Sequence, residues 1–194
     1  MPEKVETNPA KRPPWPPKGD DNMDTLYAAV GRALSQWERY EAHLAMLFSA
    51  VVTGMETDIA RRAYCAVRTF EGRAEMLRAA SEAYFFIYPD PNLQERLKTV
   101  IKEAKTFSER RNEITHAVLD HWQPNPAVYP LLQENSWGLF PTAATFKNRS
   151  FEKNTPEYCY TSIEINRLYE EFDRITGEPA SIAGLILLRA KRRS

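Results

Sequence analysis

Apolar residues recur every three or four positions along three long stretches of the chain, which is the period of amphipathic helices. The first stretch covers residues 24–52, and the second covers about 57–88, where Thr57 stands in a position to cap the N-terminus. The third covers about 90–122, and its Asp90 precedes a proline, the residue that favours the first helical position. The pattern therefore predicts three long helices that each bury one face.

The segment that follows has a different pattern. Five prolines divide residues 123–160, and aromatic and β-branched residues lie between them. This composition predicts an irregular insertion with one or two short strands, around residues 137–140 and 158–161.

A second group of helices is predicted after the insertion. Thr161 and Glu164 have the spacing of a capping box, and apolar residues at helical spacing follow them. This fourth helix is expected to stop near Gly177, and a short fifth helix is expected over residues 181–190. The fold class is therefore all-α: an antiparallel four-helix bundle with an irregular insertion and a short C-terminal helix.

The two ends of the chain lack this helical pattern. Residues 1–22 are rich in proline and poor in apolar side chains, so they are predicted to form a disordered or polyproline-like arm. Residues 23–190 are predicted to form a single domain, which ends in a basic tail over residues 191–194.

Composition narrows the classes of function. The chain has 26 basic and 26 acidic residues, so any contact with nucleic acid must come from a local patch and not from the net charge. Two distant cysteines and three histidines match no metal-binding spacing, so neither a metal nor another cofactor is expected. There is no apolar segment typical of a secretory signal or a membrane span, and a cytoplasmic protein without membrane contact is the expectation.

Three charged residues fall on the apolar stripes of the predicted helices: Glu41, Arg73 and Arg111. A charge at a core-facing position is costly unless it is paired, and Glu41 with Arg73 is the simplest pair. Arg111 is then a surplus cation. Either the three residues form a buried network that only fixes helix register, or Arg111 borders a cleft where its guanidinium can bind a phosphate.

A histidine lies next to this arginine. Asn112 and His116 are four residues apart, so they share one edge of the helix, beside the arc that contains Arg111. Asn112 is placed to orient the imidazole, which can accept and donate protons near neutral pH. We call Arg111, Asn112 and His116 the Arg–Asn–His cluster. His121 is predicted to lie at the helix C-terminus, where the helix dipole favours it.

The stretch from Arg111 to His116 resembles the signature of the HEPN superfamily, in which a histidine follows an arginine after four to six residues and the arginine is often followed by asparagine. The spacing of Trp37 and Glu41 in the first predicted helix is similar to HEPN-type proteins, and so is that of Phe70 and Arg73 in the second. The resemblance covers residues 23 to about 177. Its histidine is preceded by Thr115, where the family often has a small residue.

The resemblance implies a metal-independent ribonuclease that acts as a homodimer with its two motifs facing each other. His116 would be the general acid or base, Arg111 would stabilise the phosphorane, and Asn112 would orient His116 or contact the phosphate. Arg110 and His121 would contribute to RNA binding, with Glu41 and Arg73 in support. A toxin or phage-defence role, with an antitoxin or other protein partner, is compatible with this family.

Two other functions fit the same residues. One is a HEPN-like module without catalytic activity that dimerises or binds a nucleotide, RNA or a partner protein. The other is a structural helical bundle in a larger assembly, in which Trp15 and the proline-rich arm are docking elements.

Overall fold

The computed structural model describes residues 11–54, 57–121, 136–142 and 156–192, and these residues are mostly helical. Predictions for residues 1–10, for Trp122, for most of the insertion and for the last two residues lie outside this part of the chain. The described elements are five helices and two strands: α1 (Met23–Thr53), α2 (Asp58–Ala66), α3 (Phe70–Ile87), α4 (Pro91–His116), β1 (Ala117–His121), β2 (Trp137–Pro141) and α5 (Ser162–Lys191). The prediction of a mostly helical fold is confirmed.

The second predicted helix is in fact two helices, α2 and α3. Val67 is extended, and the side chain of Thr69 accepts a hydrogen bond from Gly72 N at 3.1 Å, which caps α3. Arg73 Nη1 donates to Val67 O at 3.0 Å and so satisfies a carbonyl that a continuous helix would have used. The apolar period continues through the break, which is why the sequence pattern does not reveal it.

The predicted fourth and fifth helices are one continuous helix, α5, and the predicted stop at Gly177 is wrong. Glycine and Pro179 inside a helix cost about 1 and about 3 kcal/mol. Ile182 and Ile186 lie beyond these breakers and are fully buried, each contributing about 1.5–3 kcal/mol. Burial of the stripe on the far side of Pro179 therefore offsets the local cost.

Helix α4 ends at His116, six residues before the predicted end near residue 122, and the chain continues directly into β1. β1 pairs with β2 in antiparallel register, with Val118 opposite Phe140. The strand predicted around residues 137–140 is confirmed as β2. The strand predicted around 158–161 is reduced to a single bridge between Tyr160 and Leu139.

Residues 11–20, which the sequence predicted to be part of a disordered or polyproline-like arm, are irregular and contact this sheet region. Trp15 packs against Phe140, with ring centroids 6.1 Å apart. Asp20 forms a bridge with Trp137, and its carboxylate accepts hydrogen bonds from Ser162 N at 2.7 Å and Ser162 Oγ at 2.5 Å, at the start of α5. We call residues 11–20 the N-terminal strap.

The chain divides into two compact units. Unit 1 comprises residues 1–35 and 109–171, and unit 2 comprises residues 36–108 and 172–194. The core of unit 2 is built from large apolar side chains of helices, among them Trp37, Tyr40, Leu44, Leu77, Leu97, Phe107, Phe172 and Ile182. The core of unit 1 includes Leu26, Ile114, Leu139, Phe140, Tyr160 and Ile165, together with several buried polar side chains. No helix within the described ranges is long and apolar enough to cross a membrane.

Candidate functional site

The last two turns of α4 have a buried side and an open side. Arg110 and Ile114 are buried, with 6% and 2% of their surface exposed, whereas Asn112, Thr115 and His116 are exposed and Arg111 is partly exposed. The prediction that Arg111 is the arginine on the apolar stripe is therefore wrong, because Arg110 occupies that position. It lies three residues after Phe107 and four before Ile114, which are both buried, and this places it on the buried face.

The buried side of this helix end is organised by the carboxylate of Glu113, whose side chain is only 11% exposed. It accepts hydrogen bonds from Arg12 Nε at 2.7 Å and Tyr160 OH at 2.5 Å, and it forms an ion pair with Arg110 Nη1 at 3.1 Å. We call Arg12, Arg110, Glu113 and Tyr160 the Glu113 network. Two guanidinium groups on one carboxylate compensate the cost of burying its charge.

The environment changes the protonation of the surrounding groups. Burial raises the pKa of Tyr160 far above its ordinary value, and the hydrogen bond to Glu113 raises it further. Burial also raises the pKa of Tyr158 to about 12, with an added effect from the negative charge of Glu113. Burial by itself lowers the pKa of Arg12, but hydrogen bonds to Glu113 and Glu157 outweigh this and leave that pKa raised. Both tyrosines therefore remain neutral donors, and Arg12 remains a cation.

The open side carries the Arg–Asn–His cluster. Arg111 Nη1 donates to Asn112 Oδ1 at 3.2 Å, and Thr115 Oγ1 donates to Arg111 O at 2.9 Å. The amide oxygen of Asn112 thus accepts a hydrogen bond from Arg111, and the expected role of Asn112 in orienting His116 or contacting a phosphate remains a prediction. His116 is the last residue of α4, and its side chain is exposed. This arrangement presents a guanidinium, an amide and an imidazole to a molecule outside the helix.

His121 is not at a helix C-terminus, so its predicted stabilisation by the helix dipole is wrong. It is the last residue of β1 and stacks on Trp137 across the strand pair, with ring centroids 4.2 Å apart. Its predicted contribution to RNA binding remains a prediction.

Glu41 and Arg73 lie together in unit 2, and the predicted pairing of these two residues is confirmed. Their side chains form an ion pair, and Trp37 Nε1 donates to Glu41 Oε1 at 2.6 Å. Their predicted support of the Arg–Asn–His cluster remains a prediction, since the cluster belongs to unit 1.

Potential metal ligands and two free thiols lie in the described part of the chain, and the thiol of Cys65 is exposed. No group of three or more His, Cys, Asp or Glu side chains in those ranges is arranged to hold a metal ion. Cys159 is buried, and burial raises the pKa of its thiol well above the ordinary value, which suppresses the reactive thiolate.

Comparisons with protein-family models, with curated proteins and with solved structures find no match for this chain. The functional interpretation therefore rests on the residues themselves. Sequence reasoning missed Glu113, Arg12 and Tyr160. The spacing of Arg110 and Glu113, three residues apart on one helix, was the only local signal for the network.

Proposed function

We propose that this protein is a metal-independent endoribonuclease of the HEPN type, with a HEPN-like four-helix bundle and activity as a homodimer. The main support for the proposal is that the last two turns of α4 have one buried side and one open side. The Glu113 network fixes one side, while the Arg–Asn–His cluster faces solvent on the other. An exposed cluster on a fixed helical turn suits a polymeric substrate, which cannot enter a closed cavity.

The proposed reaction needs no group other than protein side chains and RNA. The ribose 2′-oxygen attacks the adjacent phosphorus as its proton passes to His116, and the bond from phosphorus to the 5′-oxygen breaks. The leaving oxygen takes a proton from a second acid, and the products are a 2′,3′-cyclic phosphate and a 5′-hydroxyl. In a homodimer, His116 of the second copy would be that acid.

Arg111 would bind the scissile phosphate and stabilise the charge that develops on the phosphorane oxygens. The hydrogen bond from Arg111 Nη1 to Asn112 Oδ1 fixes one edge of the guanidinium, a planar group whose donors match phosphate oxygens. Asn112 would therefore act mainly by orienting Arg111. Arg110, which is buried on Glu113, would support the turn and not touch RNA.

RNA is the proposed substrate, and a cytoplasmic toxin or phage-defence effector, controlled by an antitoxin or other partner, is the proposed biological role. The family resemblance supports this role. The equal counts of acidic and basic residues favour local recognition at the cluster over binding along a long basic surface.

The test is cleavage of end-labelled single-stranded RNA in EDTA by the wild type and by His116→Ala, Arg111→Ala and Asn112→Ala. We expect His116→Ala to lower kcat by about 10²- to 10⁴-fold, and the wild-type products to carry a cyclic phosphate. His43→Gln is the matched control, because His43 lies in unit 2 with Nδ1 2.8 Å from Thr176 O. Cleavage that EDTA abolishes, or full activity in His116→Ala, would rule the proposal out.

One observation favours a second candidate, a HEPN-like module without catalytic activity that binds RNA or a nucleotide. Asn112 Oδ1 accepts a hydrogen bond from Arg111, and among the described residues no hydrogen bond joins the Asn112 amide to the His116 imidazole. RNA binding by the wild type that Arg111→Ala weakens, without cleavage by any variant, would identify this function. Light scattering would show whether either activity resides in a dimer.

A further inference from the structure

The N-terminal strap reaches the end of α4 at one charged contact. Arg12 Nε donates to Glu113 at 2.7 Å, Arg12 Nη1 donates to Glu157 at 2.9 Å, and its guanidinium lies over the ring of Tyr158 at 5.1 Å. The side chain of Arg12 is 36% exposed, so this contact lies at the edge of unit 1 and is reachable by solvent.

The rest of the strap is attached independently of Arg12. Trp15 packs against Phe140, and the carboxylate of Asp20 binds the N-terminus of α5 through Ser162. Four prolines lie between Arg12 and Asp20, and proline restricts the backbone of the unfolded chain as well as the folded one. The strap therefore loses little conformational entropy when Arg12 reaches Glu113.

Glu113 is the residue through which the strap can act on the cluster. It follows Arg111 by two residues and precedes His116 by three, on the last two turns of α4. Its backbone carbonyl also accepts a hydrogen bond of 3.4 Å from Tyr158 OH, in a part of the helix where carbonyls lack intrahelical partners. Helix ends fray unless they are fixed, and here both the side chain and the backbone of Glu113 are held.

We infer that Arg12 is a positioning residue for the Arg–Asn–His cluster, and that it acts by holding Glu113 and thereby the last two turns of α4. The expected effect of Arg12 on catalysis rests on the proposed function. Arg12 does not touch RNA; the strap sets the orientation of Arg111 and His116, which do.

The kinetic test compares Arg12→Ala, Arg12→Lys and Lys18→Ala. We expect Arg12→Ala to lower kcat by about 10- to 100-fold, because a displacement of about 1 Å at a reacting group has an effect of that size. KM should stay within about twofold, since the groups that bind RNA remain. Arg12→Lys should recover part of kcat. Lys18→Ala also removes one positive charge from the strap, but Lys18 pairs only with the exposed Asp21 at 2.8 Å among the described residues, so its kinetics should match the wild type.

Amide hydrogen exchange tests the same inference without any activity. We expect residues 109–116 to exchange at least about tenfold faster in Arg12→Ala than in the wild type, because their local opening becomes easier, and at the wild-type rate in Lys18→Ala. Unchanged exchange in Arg12→Ala would overturn the inference, and so would a rise in KM with unchanged kcat, which indicates direct RNA binding. A wild type that cleaves no RNA would reject the proposed function. Faster exchange in Arg12→Ala would still support the conclusion that Arg12 stabilises the end of α4.

Discussion

Two largely buried glutamates, Glu41 in unit 2 and Glu113 in unit 1, are held in different ways. In unit 2, Glu41 on α1 pairs with Arg73 on α3 and accepts a hydrogen bond from Trp37, one turn earlier on its own helix. In unit 1, Glu113 on α4 takes one partner from its own helix and others from non-helical segments, namely Arg12 in the strap and Tyr160 before α5.

The difference shows what each charged group does for its unit. Unit 2 already has a core of large apolar side chains from its helices, and the Glu41 pair is added to that core. Unit 1 must attach proline-rich and irregular segments, which bury less apolar surface, and it does so with a carboxylate that accepts several donors at once. We therefore expect the loss of Glu113 to be more damaging than the loss of Glu41.

The largest expected effect follows from Glu113→Ala. Arg110, whose side chain is 8% exposed, then loses the buried carboxylate and keeps the exposed Glu109, and removing one partner of a buried ion pair costs about 3–5 kcal/mol. Urea unfolding measures this loss. Glu109→Ala is the matched control, because Glu109 also contacts Arg110, at 3.2 Å, but is 75% exposed; its effect should stay below about 0.5 kcal/mol. Equal losses in the two variants would show that the network is not the anchor of unit 1.

Glu41→Ala should have a smaller effect, about 2 kcal/mol, from the unmet hydrogen bond of Trp37 and the weakened fixation of Arg73. Arg73 keeps its bond to Val67 O at 3.0 Å, so it is not left without a partner. The same unfolding measurement applies. A loss equal to or larger than that of Glu113→Ala would reverse the order expected of the two glutamates.

Tyr160→Phe tests the aromatic donor of the Glu113 network separately from its charges. Removing a buried donor to a charged acceptor should cost about 1–2 kcal/mol. Tyr158→Phe removes a bond of 3.4 Å to a backbone carbonyl and should cost less. If both variants are as stable as the wild type in thermal unfolding, Arg12 and Arg110 satisfy Glu113 without the tyrosine.

The smallest expected effect is on the free energy of unfolding at alkaline pH. The pKa of Tyr158 is about 12 in the folded protein and 10.0 in its ordinary state, so the unfolded chain loses this proton first. The stabilising contribution is complete below pH 10 and is lost as pH rises towards 12. The free energy of unfolding should therefore fall more steeply between pH 10 and pH 12 in the wild type than in Tyr158→Phe. Parallel pH profiles would show that Tyr158 is not protected from ionisation.

Sequence alone determined the features that depend on neighbouring residues. Asp90 accepts a hydrogen bond from Leu93 N at 2.9 Å at the start of α4, and Glu164 accepts one from Thr161 N at 2.8 Å in the expected capping box. The pairing of Glu41 with Arg73 could be predicted as well, because both residues interrupt an apolar helical stripe. Such signals work because capping and amphipathic spacing involve residues within a few positions of one another.

Tertiary structure decided the features that depend on distant residues. α5 continues through Gly177 and Pro179 because burial beyond them offsets the local cost, and no local signal reports that sum. Arg110 is buried because it pairs with Glu113, which also accepts hydrogen bonds from Arg12 in the strap and Tyr160 before α5. Asn112 and His116 are exposed on the opposite side of the helix. The sequence thus identified Arg111, Asn112 and His116 as chemically capable residues, whereas only long-range packing brought Arg12 and Tyr160 to Glu113.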